Sequence, residues 1–172
     1  TDFLLNHRLN PDDISRTNFP DIKELEYANK RGLNAFNILN VVPEPKDNSG
    51  WVCWAPVEAY TPEFKRRFFQ RLDEFVPELE KRGLIDKAYV YGFDERGPEY
   101  IPIIKDYFGK IKRRYPRIRT LSTCWPPAGT DPLSLNIDWY VSLSSSYNHE
   151  LAQKVRKKGG EMWWYVCMGP NY

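Results

Sequence analysis

Two acids stand side by side at Asp94 and Glu95, directly after the aromatic, β-branched run YVYGF (89 to 93) and before Arg96 and Gly97. Carboxyls paired at the mouth of a pocket can divide the work of acid and base, because burial and a neighbouring negative charge raise the pKa of one and keep it protonated near neutrality. Adjacent residues of a strand point to opposite faces, so the pair can serve one ligand only if the strand ends there and the backbone turns. Even then the two carboxyls cannot flank a glycosidic bond from opposite sides, as an acid and a nucleophile do. They suit a substrate that carries its own nucleophile. When a sugar bears a 2-acetamido group, its carbonyl oxygen attacks the anomeric carbon; one carboxylate orients and polarises the amide while the next protonates the leaving oxygen. Glu95 is then the proton donor. The competing reading is a surface loop in which Arg96 is counter-ion to an acidic pair.

Aromatic side chains are the natural companions of such a pair. Phe, Trp and Tyr make up 15% of the chain, with 6 Trp and 11 Tyr, and the flat faces of Trp and Tyr stack on sugar rings and bases as readily as they fill cores. Trp125, in the loop WPPAG, is a candidate stacking platform. Trp163, Trp164 and Tyr165 follow one another on a strand, so alternate members face opposite ways; at least one belongs to the core, and Trp164 or Tyr165 is the candidate to reach a sugar. Tyr147 could hydrogen-bond the acetamido oxygen as charge develops on it, or simply face solvent. Asn37 and Asn40, at the end of an early strand, could bind a sugar hydroxyl or cap their own loop. Arg8, with His7 in NHRLNP, could bind sugar or orient a carboxylate; an ion pair and a structural His are the plainer alternatives.

Other chemistries lack their signatures. The two His are far apart with no HxH or HExxH spacing, and Cys53, Cys124 and Cys167 form no CxxC cluster, so no metal is expected. No Ser sits in GxSxG, and neither GxGxxG nor GxxxxGK[ST] occurs, which removes acyl transfer and the commonest nucleotide sites. The expected chemistry runs without a cofactor. With 25 basic against 23 acidic residues and a formal charge of +2, the chain has no general pull toward nucleic acid. The basic run KIKRRYPRIR (110 to 119) reads as a helix end and its loop, and KVRKK (154 to 158) as the solvated end of another, where cations suit the dipole. No run approaches the roughly 18 apolar residues of a membrane helix, and the opening TDFLLNHRLN does not read as a signal peptide.

The elements that must position the pair alternate in type. Helical spacing over DIKELEYANKR (21 to 31) stops at Gly32, and NAFNIL (34 to 39) reads as a strand. Thr61 as N-cap and Pro62 at the first helical position open a long amphipathic helix that runs to Gly83, with Pro77 expected to kink or divide it. KAYVYGFDE (87 to 95) reads as a strand and the stretch after Gly97 as a helix. IRTLSTC (118 to 124), NIDWYVSL (136 to 143) and MWWYVCM (162 to 168) read as strands, with a short helix from His149 to Lys158. Five strands with near-continuous apolar runs suit a parallel α/β sheet, either doubly wound and open or curled into a (β/α)8 barrel. The absence of a phosphate loop favours the barrel. At 172 residues the chain holds one domain but less than the roughly 250 residues of a complete barrel, so the expectation is a partial TIM-type barrel of five or six βα units spanning 1–172.

Four segments together resemble a known family: NHRLNPDDI (6 to 14), RGLNAFNIL (31 to 39), YVYGFDE (89 to 95) and EMWWYVCMGPNY (161 to 172) are similar to the catalytic barrel of glycoside hydrolase family 123. The resemblance spans nearly the whole chain, and its most specific parts are the acid pair after an aromatic strand and the WWYVC-GP strand end. It implies a retaining β-N-acetylgalactosaminidase that works through the acetamido group, with Asp94 orienting that group and Glu95 acting as general acid and then general base. An oligosaccharide or glycoconjugate is the implied partner. It also implies a β-sandwich before the barrel and further strands after Tyr172, neither of which lies in this sequence. Two alternatives stay open: a carbohydrate-binding barrel without catalysis, and a retaining hydrolase whose nucleophile lies outside this chain.

Overall fold

The computed structural model describes residues 1–43, 55–124, 126 and 129–167. In chain order its elements are α1 (Asp2–Asn6), α2 (Ile22–Asn29), β1 (Phe36–Val41), α3 (Pro62–Lys81), β2 (Ala88–Gly92), α4 (Ile101–Arg114), β3 (Arg119–Ser122), β4 (Trp139–Leu143), α5 (His149–Lys157) and β5 (Glu161–Tyr165). Local chemistry sets the helix starts. The Asp21 carboxylate accepts from the N–H of Lys23 (2.7 Å) and Glu24 (3.1 Å), the Thr61 hydroxyl from that of Phe64 (3.1 Å), and the Asn148 side chain from that of Leu151 (2.9 Å).

α3 runs unbroken through Pro77, contrary to the expected division. Leu72, Val76 and Leu79 are buried on one side while Pro77 faces out. Burial of that stripe outweighs the one backbone hydrogen bond the proline removes.

All five strands are parallel, and their spatial order is their chain order, β1-β2-β3-β4-β5. Right-handed crossovers that always step to the next strand leave every connection on the same side of the sheet. The side chains agree. Phe36, Ile38, Val90, Tyr140 and Met162 share one buried cluster with residues of α2 to α5, among them Leu25, Phe68, Phe108 and Leu151. The other face carries a second cluster of Ala35, Tyr89, Tyr91, Leu121 and Trp139, with Val141 partly buried beside it. The sheet is therefore singly wound, unlike the doubly wound alternative. It is also open: β1 and β5 are its edges, and these strands do not close a barrel.

A polar hub fastens the N-terminal segment to β1. The register between β1 and β2 slips after Asn37, leaving Ile38 as the extra residue of a bulge. In a regular strand residues 37 and 40 would point apart; across the bulge the Asn37 amide donates to Asn40 Oδ1 (2.7 Å) and to the carbonyls of Asp13 and Ile14, while its Oδ1 accepts from the N–H of Leu39 and of Tyr91. The Asp12 carboxylate accepts from the Asn37 N–H (2.8 Å) and the Tyr89 hydroxyl (2.6 Å), and Arg16 pairs with it at 3.7 Å.

Candidate active site

The loop after β2 begins with two unusual backbone conformations. Strand β2 ends at Gly92, two residues before the expected turn at Asp94, and Phe93 (φ 61°) and Glu95 (φ 48°) both lie in the left-handed region. For non-glycine residues this costs of order 1–3 kcal/mol each, and such strain persists only where the surroundings enforce it. Here the enforcers are visible. The Phe93 ring is buried on the helix side of the sheet, parallel to Tyr60 (5.6 Å) and edge-on to Phe108 (5.3 Å). Its carbonyl accepts from Ser122 Oγ at 3.2 Å. The chain thus dips toward the helices at Phe93 and emerges on the open face at Asp94.

There the acids meet a set of hydroxyls. Asp94 Oδ1 accepts from the Tyr91 hydroxyl (2.6 Å) and from Thr123 Oγ1 (2.7 Å), and Thr123 Oγ1 in turn accepts from the Glu95 N–H (2.9 Å). The Tyr165 hydroxyl donates to Glu95 Oε1. This last bond passes over the ends of β3 and β4 and ties the final strand to the loop after the second. Burial, then the bond to Glu95 and the charges of Glu95 and Asp94, raise the pKa of Tyr165, so its phenol remains a donor well above neutrality. Glu95 itself is exposed and Asp94 half-buried. The Arg96 Nε donates to the Asp94 carbonyl (2.7 Å), and its guanidinium lies 5.6 Å from the Tyr100 ring centre. The arrangement offers a carboxylate held between two hydroxyls, a second carboxyl open to solvent, and a phenol beside it.

The remaining candidates divide sharply. Tyr165 joins the cluster. Trp164 does not: it shares the helix-side face with Met162 and is 62% exposed there, because residues two apart on a strand share a face. The parity that removes Trp164 brings in Trp163, which is on the face of Tyr165, is 37% exposed and stacks on Trp139 at 5.0 Å. Asn37 stands near the start of β1 rather than its end, is wholly buried, and spends its amide on the hub already described. Most of its partners are distant in the chain, so its side chain is spent on fastening the N-terminal segment and β2 rather than on its own loop.

Tyr147 packs against the helix-side core, edge-on to His149 at 5.1 Å, with its hydroxyl accepting from Arg156 at 3.4 Å. Arg8 is exposed after α1, next to a segment in which Asn10 bonds Asn34 (2.6 Å) just ahead of β1. That is the N-terminal end of the strands, opposite the acid pair. Trp125 lies outside the described residues, as does Cys53. Cys124 is buried, which pushes its thiol up to about 11, and Cys167 is exposed.

Tyr91, Thr123 and Trp163 were reachable from sequence only in part. Thr123 is the last residue but one of the strand-like run IRTLSTC, where strand ends should be searched, and Trp163 shares its parity with Tyr165. Nothing in the local sequence announces that Tyr91 turns toward Asp94. Among the described residues, no group of three His, Cys, Asp or Glu side chains could hold a metal ion, and no helix is long and apolar enough to cross a membrane.

No protein-family model matches the chain, and no curated protein matches it. Among solved structures the chain is similar to a family 123 glycoside hydrolase from Clostridium perfringens studied for glycolipid glycan hydrolysis. The TM-score is 0.53 at 22% identity, over 65% of this chain and 20% of that one. The chain therefore spans about a fifth of that protein's length, and at such identity the likeness is one of fold: an α/β sheet of parallel strands with its helices on one side.

Proposed function

We propose that the chain carries the acid pair of a (β/α)8 glycoside hydrolase that removes terminal β-linked N-acetylhexosamine, most simply N-acetylgalactosamine, with retention and with help from the 2-acetamido group. One observation carries the reading: Asp94 and Glu95, consecutive in sequence, enter a single hydrogen-bonded cluster at the C-terminal ends of parallel strands, where barrel enzymes place their chemistry. The singly wound order of the sheet, the likeness to a family 123 structure and the four sequence segments support it.

In the first step the acetamido carbonyl oxygen attacks the anomeric carbon as the glycosidic C–O bond breaks. Asp94 accepts the amide N–H and steadies the positive charge that grows on the oxazolinium-like ring, and Glu95 gives its proton to the departing oxygen. In the second step Glu95 takes a proton from water as that water attacks the anomeric carbon and the ring reopens, which leaves the configuration unchanged. Trp163 and Tyr165, on the open face, are the surfaces against which the sugar rests.

The test compares aryl β-glycosides that differ only at C2, one with an acetamido group and one with a hydroxyl. Losing an intramolecular nucleophile should lower kcat/KM by about 10³-fold or more, and the first product released from the acetamido sugar should be the β-anomer. Equal turnover of both substrates would remove the acetamido group from the mechanism in favour of a nucleophile elsewhere in the protein. Binding without any turnover would leave a carbohydrate-binding barrel.

A further inference from the structure

The geometry points to Thr123 as the residue that positions both acids, an inference that rests on the function proposed above. Its Oγ1 is the atom that connects them: it donates its one proton to Asp94 Oδ1 (2.7 Å) and accepts the Glu95 N–H (2.9 Å). A carboxylate oxygen only accepts and a backbone N–H only donates, so the Thr123 hydroxyl gives its one proton to Asp94 and takes the Glu95 N–H on a lone pair. The direction of both bonds is thereby fixed.

The consequences differ for the two acids. For Asp94 the bond sets the rotation of the carboxylate, because Oδ1 is shared by Thr123 and Tyr91 and the plane of the group follows from those two donors. For Glu95 the bond acts on the backbone. Its φ of 48° is unfavourable for a side-chain-bearing residue, and the N–H tether is what holds that peptide in place. The direction in which the Glu95 side chain leaves the backbone depends on it. Thr is well suited to this work, since branching at Cβ leaves its hydroxyl few rotamers. Neighbouring Ser122 braces the same loop by donating to the Phe93 carbonyl (3.2 Å) while it accepts the Cys124 N–H (3.0 Å), so two consecutive hydroxyls at the end of β3 hold the loop after β2. Thr123 touches no reacting atom in this scheme; it works through Asp94 and Glu95.

The experiment compares Thr123→Ser with Thr123→Ala in the protein, using two acetamido glycosides, one with a poor leaving group that needs protonation and one with a good leaving group that does not. The Ser and Ala variants differ by the oxygen alone. The Ser variant should stay within about fivefold of the unmodified protein, and the Ala variant should lose about 10²-fold in kcat on the poor leaving group with little change in KM, the scale of an ångström-level misplacement. On the good leaving group the Ala deficit should shrink several-fold, because Glu95 has less to do there. A purely structural role would depress both substrates equally. If Thr123→Ala does not fold, Thr123→Val, which keeps the shape and removes the oxygen, takes its place. Ser and Ala (or Val) variants with equal kcat, or a deficit that ignores the leaving group, overturn the positioning role while leaving the proposed function standing. An unmodified protein that turns over neither substrate overturns both.

Discussion

Strand β2 presents two tyrosines on one face, and each bonds an aspartate at 2.6 Å: Tyr89 to Asp12 and Tyr91 to Asp94. The same pair of groups, two residues apart, serves two purposes. Around Asp12 every neighbour is architectural. The carboxylate ties down the Asn37 N–H and the Arg16 guanidinium, and Asn37 fills its own amide with backbone groups and Asn40. Around Asp94 the backbone is strained, an exposed Glu follows at once, and a phenol arrives from three strands away. A buried polar network whose members satisfy one another holds a fold together. In the proposed function, one that spends its hydrogen bonds on positioning a solvent-facing carboxyl holds the site together.

Substitutions at the two clusters should therefore separate activity from stability. The largest effect is expected at the exposed acid. Glu95→Gln should lower kcat on a substrate with a poor leaving group by about 10² to 10⁴-fold, the usual contribution of a positioned general acid, while the melting temperature barely moves. Unchanged turnover would strike Glu95 from the mechanism.

At the other cluster the expectation reverses. Asn37→Ala should destabilise the protein by about 3 kcal/mol, because it leaves the N–H groups of Leu39 and Tyr91 and two carbonyls without their partner. The fraction that remains folded should keep its activity, as urea titration and active-site titration together will show.

Alkaline pH acts on the fold as a whole through its buried phenols. Burial raises the pKa of Tyr60, Tyr89 and Tyr140 above the ordinary tyrosine value, so above about pH 10 the unfolded chain releases protons that the folded chain retains. Stability should be fully present below that pH and fall as pH rises, by up to about 1.4 kcal/mol per unit for each such group. These three phenols should add their tyrosinate absorbance only as the protein unfolds; a folded protein in which every tyrosine titrates would contradict it.

Smaller still is the contrast between the tyrosines themselves. Tyr89→Phe should cost about 1 kcal/mol of stability with kcat intact, and Tyr91→Phe should lower kcat by about tenfold. Equal behaviour of the two would erase the distinction between the clusters. Smallest of all, Trp164→Ala should leave kcat and KM within about twofold, whereas Trp163→Ala should raise KM by about fivefold, the scale of one aromatic contact.

Much of the frame was legible before any coordinates. Thr61 with Pro62 gave the start of α3, Gly83 lay just past its end, and five strand-like runs mapped onto the five strands within two or three residues, because period and capping are local properties. Pro77 misled for a non-local reason, since what keeps α3 continuous is the buried stripe beneath it. Asn37 misled likewise: its partners are the carbonyls of Asp13 and Ile14 and the N–H of Tyr91, 23 to 54 residues away.

By itself the sequence determined the four longer helices, the parallel α/β character and the singular position of Asp94 and Glu95, each of which follows from neighbours within a few residues. The tertiary structure decided which face each side chain serves. It set Trp163 rather than Trp164 beside Tyr165, sent Arg8 to the far end of the strands and Tyr147 into the helix-side core, and brought Thr123 and Tyr165 to the acid pair. Strand parity and the stepping of parallel strands join residues distant in the chain, and a hydrogen bond spanning 70 positions, such as that from Tyr165 to Glu95, has no local trace.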